Sequence, residues 1–484
     1  MDAEALGWPP MTAAARHLEG VLLEKTGDYA EAEAASLSAY MAAAKVRAWD
    51  VAASAAIQLA YTVGYKQARH AEGKVWAGHA EVAVSFAGDP LGLREAARLN
   101  NLALVHSAAG AYAEAKALYD RVLTIREAAL GPDHPVVFDS LNNLAIVYRA
   151  TGAYAEAKAL NERTLAIREK TLGPDHPDVA VSLNNLASVH HNSGAYAEAR
   201  ALFERALAVR EKALGPDHAL VAATLNNLAS VHMATGGYTE AKALLERALA
   251  IQEKTLGPEH PDAAMPLNNL ANVHLSTGAY AEAKALHERT LAIREKALGP
   301  DHPNVADSLN NLANVHYITG AYAEAKPLYE RALAIQEEAL GPDHALVATI
   351  LNNIASVHMA MGAYTEAKAL HERALAIREK ALAPDHPNVA LSLDNLAALA
   401  LARDRPAEAL PLLERAVAIY DAHEGVQEGE LHTRFHLARA LVRTGSDRTR
   451  ALAEAGKSAD GFRAAGQSMA KDLAEVEAFL AEHP

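Results

Sequence analysis

Cysteine is absent from the 484-residue chain. That excludes disulfides, thiolate metal sites and cysteine nucleophiles, and it fits a reducing compartment. Aromatic residues are scarce, 5% against a total apolar content of 51%. The apolar fraction is therefore mostly Ala and Leu, which lose little side-chain entropy in a helix. A β-sandwich or barrel would draw on Val, Ile, Thr and aromatics. No long hydrophobic run occurs. The least polar stretch, Val51 to Tyr65, contains Gln58 and spans about 15 residues where a membrane helix needs about 20. The opening MDAEALGWPP has two acids and no basic segment, unlike a secretory signal peptide. Basic charge is in deficit, with a formal net charge of −15, which speaks against a protein that neutralises phosphates. These absences predict a cytoplasmic, soluble, helical chain that contacts neither membrane nor nucleic acid.

What is present is a repeat. The string Leu-Asn-Asn-Leu-Ala starts at Leu99, Leu141, Leu183, Leu225, Leu267 and Leu309, and varies to LNNIA at Leu351 and LDNLA at Leu393. The step is 42 residues throughout. Gly-x-Tyr-x-Glu-Ala keeps the same step from Gly110 to Gly362, and Gly-Pro-Asp-His from Gly131 to Gly341, with GPEH at Gly257 and APDH at Ala383. Within one copy, Leu183, Leu186, Ala187 and His190 fall on one helical face. Gly194 breaks that helix, and a second is expected from about Tyr196 to Leu214, where Gly215 and Pro216 end it. Asp in Gly-Pro-Asp-His reads as the N-cap of the following helix, and Asp175 to Asp178 resembles a capping box. One such hairpin cannot bury its apolar face alone, so the copies must stack.

Gly-x-Tyr-x-Glu-Ala after a Leu/Ala-patterned helix resembles a tetratricopeptide repeat (TPR). The 42-residue step with LNNLA and ALGPDHP resembles the kinesin-light-chain type of that repeat. The resemblance covers about residues 91–420 and implies an all-α fold, a right-handed α-solenoid of stacked antiparallel helix hairpins. Flanking segments read as degenerate copies. Gly27 to Ala32 repeats the Gly-x-Tyr-x-Glu-Ala pattern, and a further hairpin is expected over about 51–87. All three tryptophans, Trp8, Trp49 and Trp76, lie there, which suggests an N-terminal cap over 1–90 with its own packing. The eight full copies then occupy 91–425. An acidic connector from Asp421 to Glu430, a last hairpin from Leu431 to Ala464 turning at Gly445, and a helix from Met469 to Leu480 complete 426–484. Residues 46–100 and the ending DLAEVEAFLAEHP are also similar to the TPR arm of some bacterial eukaryotic-like Ser/Thr kinases. The Gly-rich loop, Val-Ala-x-Lys, His-Arg-Asp and Asp-Phe-Gly motifs of a kinase domain do not occur in the chain.

Candidate chemistry is thin. Gly456-Lys457-Ser458 resembles the end of a phosphate loop, but the Gly due five residues before Gly456 is Ala451 and the context is helical. His287-Glu288 and His371-Glu372 open like zinc-protease helices, but the second His is replaced by Leu291 and Leu375. Repeating histidines form two ladders. His134, His176, His218, His260, His302, His344 and His386 sit in the linkers. His106, His190, His232, His274, His316 and His358 share one helix position, with Tyr148 in the remaining copy. One ring per repeat spreads possible ligands 8–10 Å apart, about the spacing of packed helices, so core packing is expected and no metal, cofactor or catalytic residue is assigned. Arg121, Arg163, Arg205, Arg247, Arg289, Arg331, Arg373 and Arg415 repeat on the second helix. They can grip phosphate, but a solvated, salt-bridged face between repeats is the expectation.

The paired asparagines are the most informative feature. At about 100° per residue from the first Leu of LNNLA, the first Asn falls on the flank and the second about 200° round, nearly opposite the core. In the resembled fold this face lines a concave groove. The expected groove residues are therefore Asn101, Asn143, Asn185, Asn227, Asn269, Asn311, Asn353 and Asn395. The position three further on adds Ser188, Ser230, Asn272 and Asn314. An Asn amide donates and accepts at once, matching an extended peptide backbone; the competing role is hydrogen bonding between adjacent helices. The resemblance implies peptide binding at these asparagines, with basic neighbours selecting acidic motifs. Here only Arg149 is such a neighbour, which counts against acidic-peptide selectivity. The expected function is a non-enzymatic scaffold binding a protein or peptide segment. The alternative is a regulatory or sensor arm controlling a catalytic partner or a missing domain such as a bacterial Ser/Thr kinase.

Overall fold

The computed structural model describes residues 8–382, 384–422, 429–465 and 469–483. Ala383 and most of the acidic connector expected over 421–430 lie outside them. Among the described residues there are 23 α-helices, no strand, eleven successive helix pairs and one further helix.

The chain divides into two compact units, residues 1–192 with 197–216, and residues 193–196 with 217–484. In the first, α1 (Pro9–Thr26) pairs with α2 (Tyr29–Lys45), and α3 (Trp49–Tyr61) with α4 (His70–Ala87). Three repeat hairpins follow: α5 (Leu93–Ala108) and α6 (Tyr112–Leu130), α7 (Pro135–Ala150) and α8 (Tyr154–Leu172), α9 (Pro177–Asn192) and α10 (Tyr196–Leu214). The second unit holds α11 (Ala219–Ala234) and α12 (Tyr238–Leu256), α13 (Ala264–Ser276) and α14 (Tyr280–Leu298), α15 (Pro303–Ile318) and α16 (Tyr322–Leu340). It continues with α17 (Ala345–Ala360) and α18 (Tyr364–Ala381), α19 (Pro387–Ala402) and α20 (Pro406–Asp421), then α21 (Glu430–Thr444), α22 (Arg448–Ala465) and α23 (Ala470–Glu482). The architecture is an all-α solenoid of stacked hairpins. Within each repeat we call the first helix A and the second B.

The core follows the repeat. Leu309, Ala313 and Val305 of α15 pack on Ala325, Tyr329 and Ala332 of α16, then on Ile350 and Ile354 of the next A helix. No repeat thus encloses a core without its neighbour, as nearest-neighbour stacking requires. The A-to-B turn is made by a glycine such as Gly320 at φ 80°, a left-handed conformation that costs a residue with a Cβ more than it costs glycine. The first unit contains one closer approach. A π-turn over Thr62–Lys66 brings Gly64 against Gly73, where a Cβ built on Gly73 would lie 2.3 Å from the Gly64 Cα. Trp49 stacks on Phe86 at 4.8 Å and Trp76 meets Tyr40 edge-on at 5.4 Å, while Trp8 is exposed.

The helix starts differ from the expected Asp caps. From α7 to α19 the first turn of each A helix is capped by the histidine of Gly-Pro-Asp-His or its variants, whose Nδ1 accepts the backbone N–H two residues on: 3.3 Å for His134, 3.2 Å for His176 and 3.1 Å for His218. The same bond recurs at His260, His302, His344 and His386. In most copies the proline after it occupies N1, which holds the histidine extended. The aspartate is one residue too early to reach. The exposed aspartates instead pair with B-helix lysines of the next copy, as in Lys212–Asp175 and Lys254–Asp217.

Candidate functional site

The arginine ladder is a solvated face. Arg163 meets Glu127 at 2.8 Å and Arg289 meets Glu253 at 2.6 Å, with the same 36-residue reach at Arg331–Glu295, Arg373–Glu337 and Arg415–Glu379. Each partner glutamate belongs to the preceding B helix, and the pairs are partly exposed, so each contributes at most about 1 kcal/mol.

A second arginine column is half-buried at Arg126 and Arg294 and buried at Arg168 and Arg378. Arg126, Arg168, Arg294 and Arg378 reach from a B helix into the first turn of the next A helix. Arg294 donates to Ser308 Oγ and to the Asn304 carbonyl, both at 2.9 Å. Arg378 does the same to Ser392 Oγ at 3.0 Å and the Asn388 carbonyl at 2.9 Å. Burial lowers the guanidinium pKa, to about 10 for Arg378. The signal was available: Arg or Gln at one B-helix position, with a serine or threonine 14 residues later in most copies. It marks the joint between repeats.

The phosphate-loop and zinc-helix readings dissolve in the fold. Lys457 lies inside α22 and pairs with Glu454 at 2.9 Å, while Ser458 donates to the Leu431 carbonyl at 2.8 Å. His287 and His371 are fully buried, and Glu288 and Glu372 face outward to Lys284 and Lys368. Burial, assisted by Arg294 and Arg378 respectively, lowers both imidazoles to about 4. The A-helix histidines, expected in the core, are half-buried, and burial lowers the pKa of His106, His190 and His316.

The groove asparagines were expected to face almost away from the core. All eight, Asn101, Asn143, Asn185, Asn227, Asn269, Asn311, Asn353 and Asn395, are half-buried instead, because the neighbouring A helix covers their flank. In the first unit Asn101 Nδ2 donates to the Ile57 carbonyl at 2.9 Å, and Asn143 Nδ2 to Asn100 Oδ1 at 3.0 Å. In the second, Asn269 donates to Asn226 at 2.9 Å, Asn311 to Asn268 at 2.8 Å and Asn353 to Asn310 at 2.8 Å. In these four Asn–Asn pairs the second Asn of one copy is tied to the first Asn of the copy before. Bridging adjacent helices, the competing role, is what these five side chains do.

That bond uses one N–H of each amide. Asn269, Asn311 and Asn353 are half-buried, not enclosed, and each amide has a second N–H and an oxygen beyond the bond it makes. Ser188, Ser230 and Ser356 turn their hydroxyl protons to their own helix, onto the carbonyls of Asn184, Asn226 and Asn352 at 2.9, 3.2 and 3.0 Å. Asn272 is half-buried and Asn314 exposed. Arg149 is half-buried beside Tyr154, and burial lowers its pKa. The second unit therefore presents a column of amides beside a column of small polar residues, Ser230, Asn272, Asn314 and Ser356, with the inter-repeat bonds fixing the register, whereas in the first unit the matching positions are Leu104, Ile146 and Ser188. A cavity of about 330 Å³ opens on this wall among Tyr317, Ser356, Tyr364, His371 and Asn395.

The tetratricopeptide repeat family profile matches residues 95–170, 139–212, 178–254, 220–296, 262–338, 305–358 and 346–422. No curated protein sequence matches the chain. Among solved structures, the nearly identical TPR-like repeats of a protein assigned as a kinesin light chain of Podosopora anserina are similar at 35% identity. They cover 43% of this chain and 97% of that one with a TM-score of 0.35. A singly substituted form of the same repeats gives 36%, 42%, 95% and 0.36. BtubC (BKLC) from P. vanneervenii is 22% identical over 48% of this chain and 91% of its own, with a TM-score of 0.39. With a profile match running from residue 95 to 422 in overlapping windows, the chain belongs to the tetratricopeptide repeat family and is similar to its kinesin-light-chain-like members.

Proposed function

We propose that the protein is a non-enzymatic scaffold that binds a protein or peptide segment along its A-helix wall. Repeats of this family commonly mediate protein–protein interaction. The observation that carries the reading is the registered double column just described. Asparagine oxygens and N–H groups recur on successive A helices, already immobilised by the Asn–Asn bonds. An extended backbone crossing the helices would meet a donor and an acceptor at each one. Because the amides are held in place, little side-chain entropy remains to be lost on binding. Arg149 would be the one basic contact, so selectivity for acidic segments is not part of the proposal.

The test is a pair of variants. Asn272→Arg with Asn314→Arg places bulk and charge on the wall. Glu330→Arg places the same side chain on the exposed B-helix face. Partners recovered from a lysate should be lost with the first variant and kept with the second, at equal helicity and melting temperature. Retention by both, or loss by both, contradicts the proposal.

A further inference from the structure

The charged outer face of the B helices stops short of the N-terminal hairpins. In the repeats that face carries Lys–Glu pairs one turn apart, such as Lys158–Glu162, Lys242–Glu246 and Lys284–Glu288. Counted from Tyr29 of α2 and from His70 of α4, the place of Glu162 is taken by Leu37 and by Gly78. On α4 the place of Lys170 is taken by Phe86. The outward stripes are apolar instead: Leu37 and Met41 on α2, and Val75, Val82 and Phe86 on α4, each between 39 and 63% exposed. The two stripes lie side by side, because Tyr40 of α2 meets Trp76 and His79 of α4 at 5.4 and 5.8 Å. That contact also sets Tyr40 level with the turn from Trp76 to His79.

Size and charge together say what covers this patch. The five side chains leave about 500 Å² of apolar surface open, the upper end of what a monomer exposes. Two such patches face to face bury about 1,000 Å² of it, which at the apolar share of a homodimer interface means about 1,500 Å² in all, the size of a stable complex. The stripes themselves carry no charge, in a chain whose formal net charge of −15 sets its copies against each other. The flanks are charged and self-complementary. Glu31, Ser38 and Lys45 follow one another at seven-residue steps on the outer flank of α2, and Lys74 and Glu81 at the same step on that of α4; all five are exposed. Glu81 also meets Arg98 at 3.4 Å.

A two-fold axis that crosses α2 near Ser38 and α4 near Gly78 lays the patch on a second copy with the helices antiparallel. Leu37 then faces Met41 of the second copy, and Val75 faces its Val82. Glu31 faces Lys45 of the second copy, and Lys74 faces its Glu81. Each of these contacts occurs twice, as an isologous interface requires. A parallel pairing would put Lys74 on Lys74 and Glu31 on Glu31. We infer that the α2–α4 face is where two copies of this chain associate, α2 against α2 and α4 against α4, antiparallel about one axis. The interface lies on B helices, apart from the wall of A helices, and is independent of what that wall binds.

Sedimentation equilibrium of the full chain over micromolar concentrations tests it. Wild type should approach twice the 51.3 kDa of the chain. Val82→Lys, which buries a charge twice over, should sediment as a monomer, with circular dichroism and melting temperature unchanged because the site is exposed in the free chain. Leu18→Lys, at an equally exposed apolar residue of α1, should leave the dimer intact. Glu31→Lys should weaken association at least about tenfold, since it sets like charges together at two places. Adding Lys45→Glu should restore it. A monomeric wild type, a dimer that survives Val82→Lys, a dimer lost with Leu18→Lys, or a charge swap that fails to rescue overturns the assignment.

Discussion

The two buried histidines make stability depend on pH in a defined window. His287 and His371 have no exposed surface, and burial first, then the neighbouring Arg294 and Arg378, lowers their pKa from 6.5 to about 4. In the unfolded chain each takes up a proton near pH 6.5; in the fold each refuses it until about pH 4. Between those values the unfolded state binds the extra proton, so stability is full above about pH 6.5 and is lost as the pH falls. At pH 5, roughly 1.5 units below the unfolded value, each histidine should cost about 2 kcal/mol, and the pair about 4 kcal/mol. The perturbation is His287→Leu with His371→Leu, a residue the array already buries at Leu245 and Leu413. Urea denaturation followed by far-UV circular dichroism, at about pH 7.5, 6 and 5, gives the slope of stability against pH. Removing the hydrogen bond between His371 and Asn352 shifts the variant at every pH alike, and all carboxylates are common to both proteins, so the difference in slope isolates the histidines. Wild type should lose about 4 kcal/mol more than the double variant by about pH 5. Slopes that agree within about 1 kcal/mol would refute the neutral, buried assignment.

Asn311→Ala should cost about 1 kcal/mol, since it removes the bond to Asn268. Asn314→Ala, on the exposed face, should stay within about 0.5 kcal/mol; thermal denaturation compares the two. Ser308→Ala strips the half-buried Arg294 of one acceptor and should cost about 1–1.5 kcal/mol. Gly73→Ala must drive the Cβ into Gly64 and should destabilise by about 1–3 kcal/mol. Gly78→Ala on the same α4, where the new Cβ meets nothing within 4 Å, should be neutral or stabilising by up to about 1 kcal/mol. If the two glycines respond alike in chemical denaturation, the close approach of Gly64 and Gly73 is not real.

Much of the fold could be read from spacing. Helix B was expected from Tyr196 to Leu214 and runs between those residues, because Gly-x-Tyr and Gly-Pro are local signals that need no tertiary context. The caps were misread for a geometric reason. Aspartate is the better N-cap by propensity, but His176, not Asp175, reaches the N–H two residues on, and His218 and His344 do the same with alanine in place of the proline. The asparagines show the deeper limit. A helical wheel knows only its own helix, so it put Asn311 opposite the core. The neighbouring A helix, which a wheel cannot see, half-buries it and takes its N–H. The Arg294–Ser308 joint is likewise invisible within one repeat, since its partners lie across the boundary between repeats. His371 was weighed only as half of a zinc motif. Its signal was variation, Tyr, Asn, Phe, Leu and His at one position of an otherwise uniform helix.

Binding on the A-helix wall, as proposed, is open to a direct crosslinking test. A photo-crosslinking amino acid placed singly at Ser230, Asn314 or Glu330 tests it most directly. Cells are irradiated and the adducts mapped by mass spectrometry. Ser230 and Asn314, on the wall, should give adducts that converge on one contiguous segment of a partner protein, while Glu330, on an exposed B-helix face and paired with Lys326, should give none above background. Adducts from Glu330 equal to those from Asn314, or a silent wall beside a reactive Glu330, would contradict the account.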